Sequence, residues 1–160
     1  MAIIQVYWDA NCFLGVFSNE PDKVPKCKGT IEKAENGELK INTSAITLTE
    51  VIKIKGKKRL LRDKEQMIVD FFKHNYVTIH NVDRRVAEYA RRLIWKHSSF
   101  APKDSIHVAT AILRKIPTLN TFDNDLLKFD NKLGSPKLRI CEPDIPYQME
   151  LGELYEEKQK

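Results

Sequence analysis

Ile3-Ile4-Gln5-Val6-Tyr7-Trp8-Asp9-Ala10-Asn11 begins as an apolar, β-branched and aromatic run and stops abruptly at a carboxylate. A helix-compatible apolar stretch, residues 12–17, follows it. A run of this kind predicts a strand buried on both faces, as in a parallel sheet, rather than a half-exposed one. In open parallel sheets, sites form in the crevice outside the carboxyl ends of the strands. Asp9 stands at such an end. Two readings are open on this stretch alone: Asp9 or Asn11 caps the following helix, or Asp9 carries chemistry with partners supplied elsewhere.

Outward from this strand, the pattern keeps alternating between strand-like and helix-like segments. Residues 12–18 predict a short helix and 26–35 a second, ended by the turn signal Asn36-Gly37. Residues 39–43 alternate apolar and polar, as a short strand does. Residues 44–52 place Ile46 or Leu48, then Val51 and Ile52, at helical spacing, with Ser44 or Thr47 as cap, Glu50 inside and Gly56 as breaker. Residues 63–74 are amphipathic, with Met67, Ile68, Phe71 and Phe72 on one stripe. A strand at 76–79 and a helix from Val82 to Ile94 follow, the helix turning Arg84, Arg85, Arg91, Arg92 and Lys96 outward. Pro102 suits the first turn of a deeply apolar helix through Leu113, since its missing N–H costs nothing there. A strand near 116–120, a helical turn at 126–129 and a last strand at 138–141 complete the pattern. Strands alternating with helices predict an α/β/α three-layer sandwich with a central, mostly parallel sheet. One domain over residues 1–145 is expected. The charged tail, 146–160, carries Leu151, Leu154 and Tyr155 at helical spacing and reads as a packed helix or a partner-dependent segment.

The totals agree with a single globular domain of 160 residues, 42% hydrophobic and 31% charged. No segment approaches the roughly 20 apolar residues of a membrane span, and no signal-peptide pattern opens the chain. Cys12, Cys27 and Cys141 form neither a disulfide framework nor a zinc spacing, so a reducing, cytoplasmic setting is expected. Twenty-seven basic against 22 acidic side chains give a formal charge of +5. Seven of the twelve residues at 53–64 are Lys or Arg, among them Lys53, Lys55, Lys57, Lys58 and Arg59. That cluster reads as a solvated loop or as a contact for a nucleic-acid backbone.

The acids decide the functional reading. Asp9 ends a strand, Glu50 lies on an early helix, Asp104 opens a buried helix, and Asp123 and Asp125 follow a late strand. Buried acids are costly unless something positive or donating meets them. Four of them at one end of a sheet repel each other, and hard oxygen donors suit Mg²⁺ or Mn²⁺. His107, one turn after Asp104, reads as a packed or hydrogen-bonded histidine; Tyr7 and Trp8 read as core.

Asp9-Ala10-Asn11, Ser44-x-Ile46-Thr47-x-x-Glu50, Asp104-Ser105-x-His107-x-Ala109-x-Ala111 and Thr121-x-Asp123-x-Asp125-Leu126 resemble, in order and placement, the four motifs of PIN-domain nucleases. The match runs from Ile3 to about Ile140. Ser105 stands where the family more often has Ala. The resemblance implies that Asp9, Glu50, Asp104 and Asp123 bind one or two Mg²⁺ or Mn²⁺ ions, with Asp125 touching metal through water or not at all. Asn11 and Thr121 would orient ligands or waters. It implies metal-assisted cleavage of RNA, a homodimer, and, because many members are VapC-type toxins, an antitoxin as candidate partner. Two alternatives stand beside it. One is a catalytically silent PIN-like domain that binds RNA or protein. The other is a receiver-type phosphoacceptor domain, which resembles the chain less well because its adjacent acid pair and late Lys-Pro are missing.

Overall fold

The computed structural model describes residues 2–53 and 57–146. Lys55, Gly56 and the tail residues Leu151, Leu154 and Tyr155 lie outside them. One sheet holds five strands: β1 (Ile4–Trp8), β2 (Leu39–Ser44), β3 (Val77–His80), β4 (Thr118–Asn120) and β5 (Arg139–Cys141). Their order is β3-β2-β1-β4-β5, and every pairing is parallel. The chain builds outward from β1 through β2 to β3, then returns to lay β4 on the other side of β1. The switch point of the sheet therefore falls between β1 and β4.

Among the described residues seven α-helices connect and cover the strands: α1 (Ala10–Phe17), α2 (Val24–Glu35), α3 (Thr47–Glu50), α4 (Glu65–Phe72), α5 (Arg84–Lys96), α6 (Pro102–Leu113) and α7 (Asn124–Leu127). Successive side chains of a strand point to opposite faces, and β1 uses both. Val6 and Trp8 join Phe13, Phe17, Cys27 and Ile41 under α1, α2 and α4. Tyr7 joins Val86, Leu93, Val108 and Ala111 under α5 and α6. The apolar run that opens the chain is thus the middle of a three-layer sandwich, and each large side chain buried there stabilises it by roughly 1.5–3 kcal/mol. Among the described residues no helix is long and apolar enough to cross a membrane.

Several local expectations change. The predicted helix at 44–52 is a single turn, α3, with Glu50 its last residue and Val51 already out of helical conformation at ψ 57°. Neither Ser44 nor Thr47 caps it in the ordinary way. Thr47 is buried and shares a 2.7 Å hydrogen bond with Thr43, while Ser44 Oγ accepts from the Ile46 N–H. Side-chain bonds of this kind compete with helix propagation. The helix at 63–74 begins as a 3₁₀ turn, Arg62–Lys64, and its stripe loses Met67, which is exposed. Val82 lies outside α5, whose start is set by Asp83 Oδ1 accepting the Val86 N–H at 2.9 Å. Gly37, at φ 77°, makes the turn into β2 in a conformation that suits glycine.

Candidate active site

Asp9 is the first residue beyond β1, and Thr121 the first beyond β4. The Asp9 N–H donates to the Asn120 carbonyl at 3.0 Å, so the two residues sit side by side across the switch point. The Asp9 carboxylate is buried and fully engaged. Oδ1 accepts the Ala10 N–H at 2.6 Å, capping α1, and Oδ2 accepts the Thr121 hydroxyl at 2.9 Å. Asp9 thus caps α1, as one reading of the sequence expected, and also lines an open cleft. Thr121 Oγ1 also accepts from Asn11 Nδ2 at 3.3 Å and from the Asp123 N–H at 3.0 Å. Asn11 Oδ1 accepts the Phe122 N–H at 3.2 Å. Asn11 and Thr121 therefore hold Asp9 and the loop carrying Asp123 in one register.

The other acids arrive from helix ends. Pro102 starts α6, which puts Asp104 in its first turn, where the helix dipole favours a negative charge. Glu50 closes α3, and Asp123 caps α7 by accepting the Asp125 N–H at 2.9 Å. All four line an open cleft of about 690 Å³ together with Asp125. Asp125 is on its rim, with a side chain 77% exposed and Lys128 at 3.9 Å.

Beneath the cleft floor lies His107, wholly buried. Its Nε2 is 2.7 Å from Glu50 Oε1 and 3.4 Å from Asp9 Oδ1, and its Nδ1 is 2.6 Å from the Tyr7 hydroxyl. Both ring nitrogens are therefore engaged, Nε2 with Glu50 and Nδ1 with Tyr7. Burial works against a charge on His107, yet Asp9 and Glu50 beside it hold its pKa above the usual value. The imidazole thus sits between these two acids, and each of them favours its protonated form. The expectation of a hydrogen-bonded histidine is met, and its partners make it part of the site. Its signal in the sequence was the spacing of one helical turn from Asp104.

Two of the acids have shifted pKa values. Burial, then the charges of Asp9 and Asp123, push Asp104 up to about 6. Asp9 is likewise raised, chiefly by burial, with His107 and Thr121 opposing. Among the described residues no three acids, histidines or cysteines already stand where they would hold a metal ion. The donor chemistry nonetheless fits a hard divalent cation: carboxylate oxygens crowded at one cleft, two of them carrying a repulsion that positive charge relieves. Cys12, buried behind Asp9, is pushed up by burial and offers no thiolate.

Cations ring the acids. Lys53 and Arg59 line the cleft and are joined by an antiparallel bridge between their backbones. Lys23 and Lys103, unmarked in the sequence, line it too. Lys57 is turned to Glu20 at 3.0 Å, and Lys58 is exposed but does not line the cleft. The basic segment is thus split between cleft and ion pair. Phe122 supplies an apolar wall, with Lys23 Nζ 5.4 Å from its ring centroid.

The model of the PIN domain family matches residues 6–132, from β1 to just past α7. The chain belongs to the PIN domain family. The receiver-type alternative falls with this assignment. Among solved structures the PIN domain is similar to a VapBC2 complex from Rickettsia felis, solved bound to a DNA fragment from their promoter. Identity there is 18%, over 86% of this chain and 98% of that one, with a TM-score of 0.61. It is also similar to a toxin–antitoxin complex from Klebsiella pneumoniae, at 21% identity over 90% and 99% of the two chains and a TM-score of 0.58. At such identities these likenesses show a shared fold. No curated protein matches the chain in sequence.

Proposed function

We propose that this PIN domain is a Mg²⁺- or Mn²⁺-dependent ribonuclease that hydrolyses phosphodiester bonds within RNA chains. The observation that carries the reading is the convergence of Asp9, Glu50, Asp104 and Asp123 on one cleft, with Asp104 held at about 6 by its neighbours and its burial. Perturbed carboxylates of this kind cluster at functional sites. Asp9, Asp104, Asp123 and Glu50 would hold one or two ions, with Asp125 contributing from the rim. A bound ion supplies a water of lowered pKa and neutralises charge that develops on the phosphate. Thr121 and Asn11 keep Asp9 aimed into the cleft. Lys53, Arg59, Lys23 and Lys103 hold the phosphate backbone against the acids, a contact that positions without reading sequence. We read the chain as a cytoplasmic homodimer and as the toxin of a toxin–antitoxin pair, since both structural relatives are named as complexes of that kind. Residues 1–145 would form the nuclease domain and 146–160 a tail.

Cleavage of end-labelled single-stranded RNA, with Mn²⁺, with EDTA and as Asp9→Asn, tests this directly. Cutting that needs both the metal and Asp9 supports the reading. Asparagine keeps the helix cap, so its effect reports on the site. A second reading, a silent PIN domain that only binds, is favoured by one observation: His107 Nε2 already lies 2.7 Å from Glu50 and 3.4 Å from Asp9, so two of the four carboxylates have a protein partner. Calorimetric titration with Mn²⁺ separates the two, because a silent domain of that kind takes up no ion.

A further inference from the structure

Helix α5 carries a feature that the cleft does not use. Trp95 is 79% exposed, while the only other tryptophan in the chain, Trp8, is wholly buried. Arg91, one helical turn before Trp95, places its guanidinium 5.5 Å from the indole centroid. On the adjoining stripe Arg92 lies 5.4 Å from the Tyr89 ring, and Lys96 follows one turn later. Arg84 and Arg85 extend the charge to the start of the helix, where Glu88 pairs with Arg84 at 2.8 Å. The surface is therefore cationic, with one open ring, Trp95, beside a guanidinium group, while the Tyr89 ring is partly buried against the core.

Its position relates it to the acids. Arg114, at the end of α6, reaches Asp83, at the start of α5, with an N–O distance of 3.4 Å. The two helices are thus antiparallel neighbours, and the Trp95 end of α5 lies beside the end of α6 that delivers Asp104. The five residues between Lys96 and Pro102 span at most roughly 20 Å. Lys103 lines the cleft at the near end of that connection, which continues the cationic path into it.

We propose that the C-terminal half of α5, centred on Trp95 and Arg91, is a docking surface for single-stranded RNA flanking the bond cut in the acidic cleft. The proposal rests on reading RNA as the substrate. Bases stack on exposed aromatic rings whatever their sequence, and arginines hold the phosphates between them. A second copy of the chain fits the surface poorly, because a two-fold contact sets the same patch against itself and so brings arginines against arginines.

The tryptophan pair makes the test direct. Asp9→Asn protein in EDTA, which leaves RNA intact, is titrated with an unstructured oligoribonucleotide while tryptophan emission and RNA anisotropy are followed. A saturable loss of exposed-tryptophan emission is expected, and Trp95→Leu should weaken binding roughly tenfold. Replacing both Arg91 and Arg92 by Ala should lower the slope of log K against log salt by about 1.4, for two phosphate contacts at about 0.7 each. Full-strength binding to Trp95→Leu overturns the proposal, as does binding that leaves the emission unchanged. So does equal quenching by base-free polyphosphate, or quenching on concentrating the protein alone, which would assign the patch to a second copy. Binding by this surface in a protein that never cuts RNA would sink the nuclease reading and leave the docking surface standing.

Discussion

Two hollows of similar size meet at Ile52 and Arg59. One is the acidic cleft, about 690 Å³; the other is a groove of about 800 Å³ between α3 and α4, walled by Leu48, Val51, Ile68, Val69, Phe72 and Ile79. Size does not separate them. The cleft gathers residues from the ends of β1 and β4 and from the termini of three helices, elements far apart in the chain whose backbones the sheet holds in register. The groove is built mainly by the 48–73 stretch, with Ile79 from β3. It brings together no cluster of carboxylates. Polar chemistry thus accumulates where parallel strands end and the chain changes direction, while apolar surface is left where a short helix and a loop fail to cover α4.

This contrast can be broken most sharply by Asp9→Asn, expected to cut Mn²⁺-dependent RNA cleavage at least several hundredfold, where Leu61→Ser in the groove leaves the rate within about twofold. Equal loss from both would show that the cleft is not the site. Next in size is His107→Leu, which leaves Asp9 and Glu50 without their buried imidazole partner and removes the Tyr7 partner. Urea unfolding should show a loss of about 3 kcal/mol, and a near-neutral result would mean that the imidazole is a passenger in the core.

A smaller effect with the opposite sign is expected at Asp104. Its folded pKa, about 6, lies above its ordinary value of 3.8, so the folded state holds the proton more tightly than the unfolded chain does. That contribution to stability is complete below about pH 4 and is lost as pH climbs through 6. His107, also raised, slopes the same way at higher pH, its contribution falling away above its folded value. Metal-free protein should therefore melt at progressively lower temperature from pH 4 to pH 8. Asp104→Asn should be more stable than the parent at pH 8, by on the order of 1 kcal/mol because the group is only partly buried, and should show no such gain at pH 4. Added Mn²⁺ should raise the Tm of the parent but not of the variant. A gain of equal size at both pH values would assign the effect to packing. The smallest change belongs to the groove: Leu61, 69% exposed, should tolerate Ser within about 0.5 kcal/mol by thermal melting.

The same contrast shows how far the residues could be read without coordinates. Strand β1, α2, α6 and the turn at Gly37 follow from patterns confined to their own residues. The helix at 44–52 did not, because Thr43, Thr47 and Ser44 spend their hydroxyls on each other and on backbone, and one turn survives. Lys23 and Lys103 were silent in the sequence, since a lone lysine carries no mark of the cleft it will line. Lys57, prominent in a basic run, is drawn aside by Glu20 from 37 residues away. Trp95 reads as an ordinary helix residue until the fold shows that, among the described residues, none covers it.

What the sequence determined by itself was the strand that ends at Asp9 and the alternation that makes a parallel sheet, because apolar periodicity is a local property. What only the tertiary structure decided was that His107 sits between Asp9 and Glu50, that Thr121 holds Asp9, and which of the basic side chains face the acids. These depend on residues 57 to 112 positions apart meeting within a few ångströms, and a meeting of that kind is set by how β1 and β4 pair and α6 packs across them, which no single stretch contains.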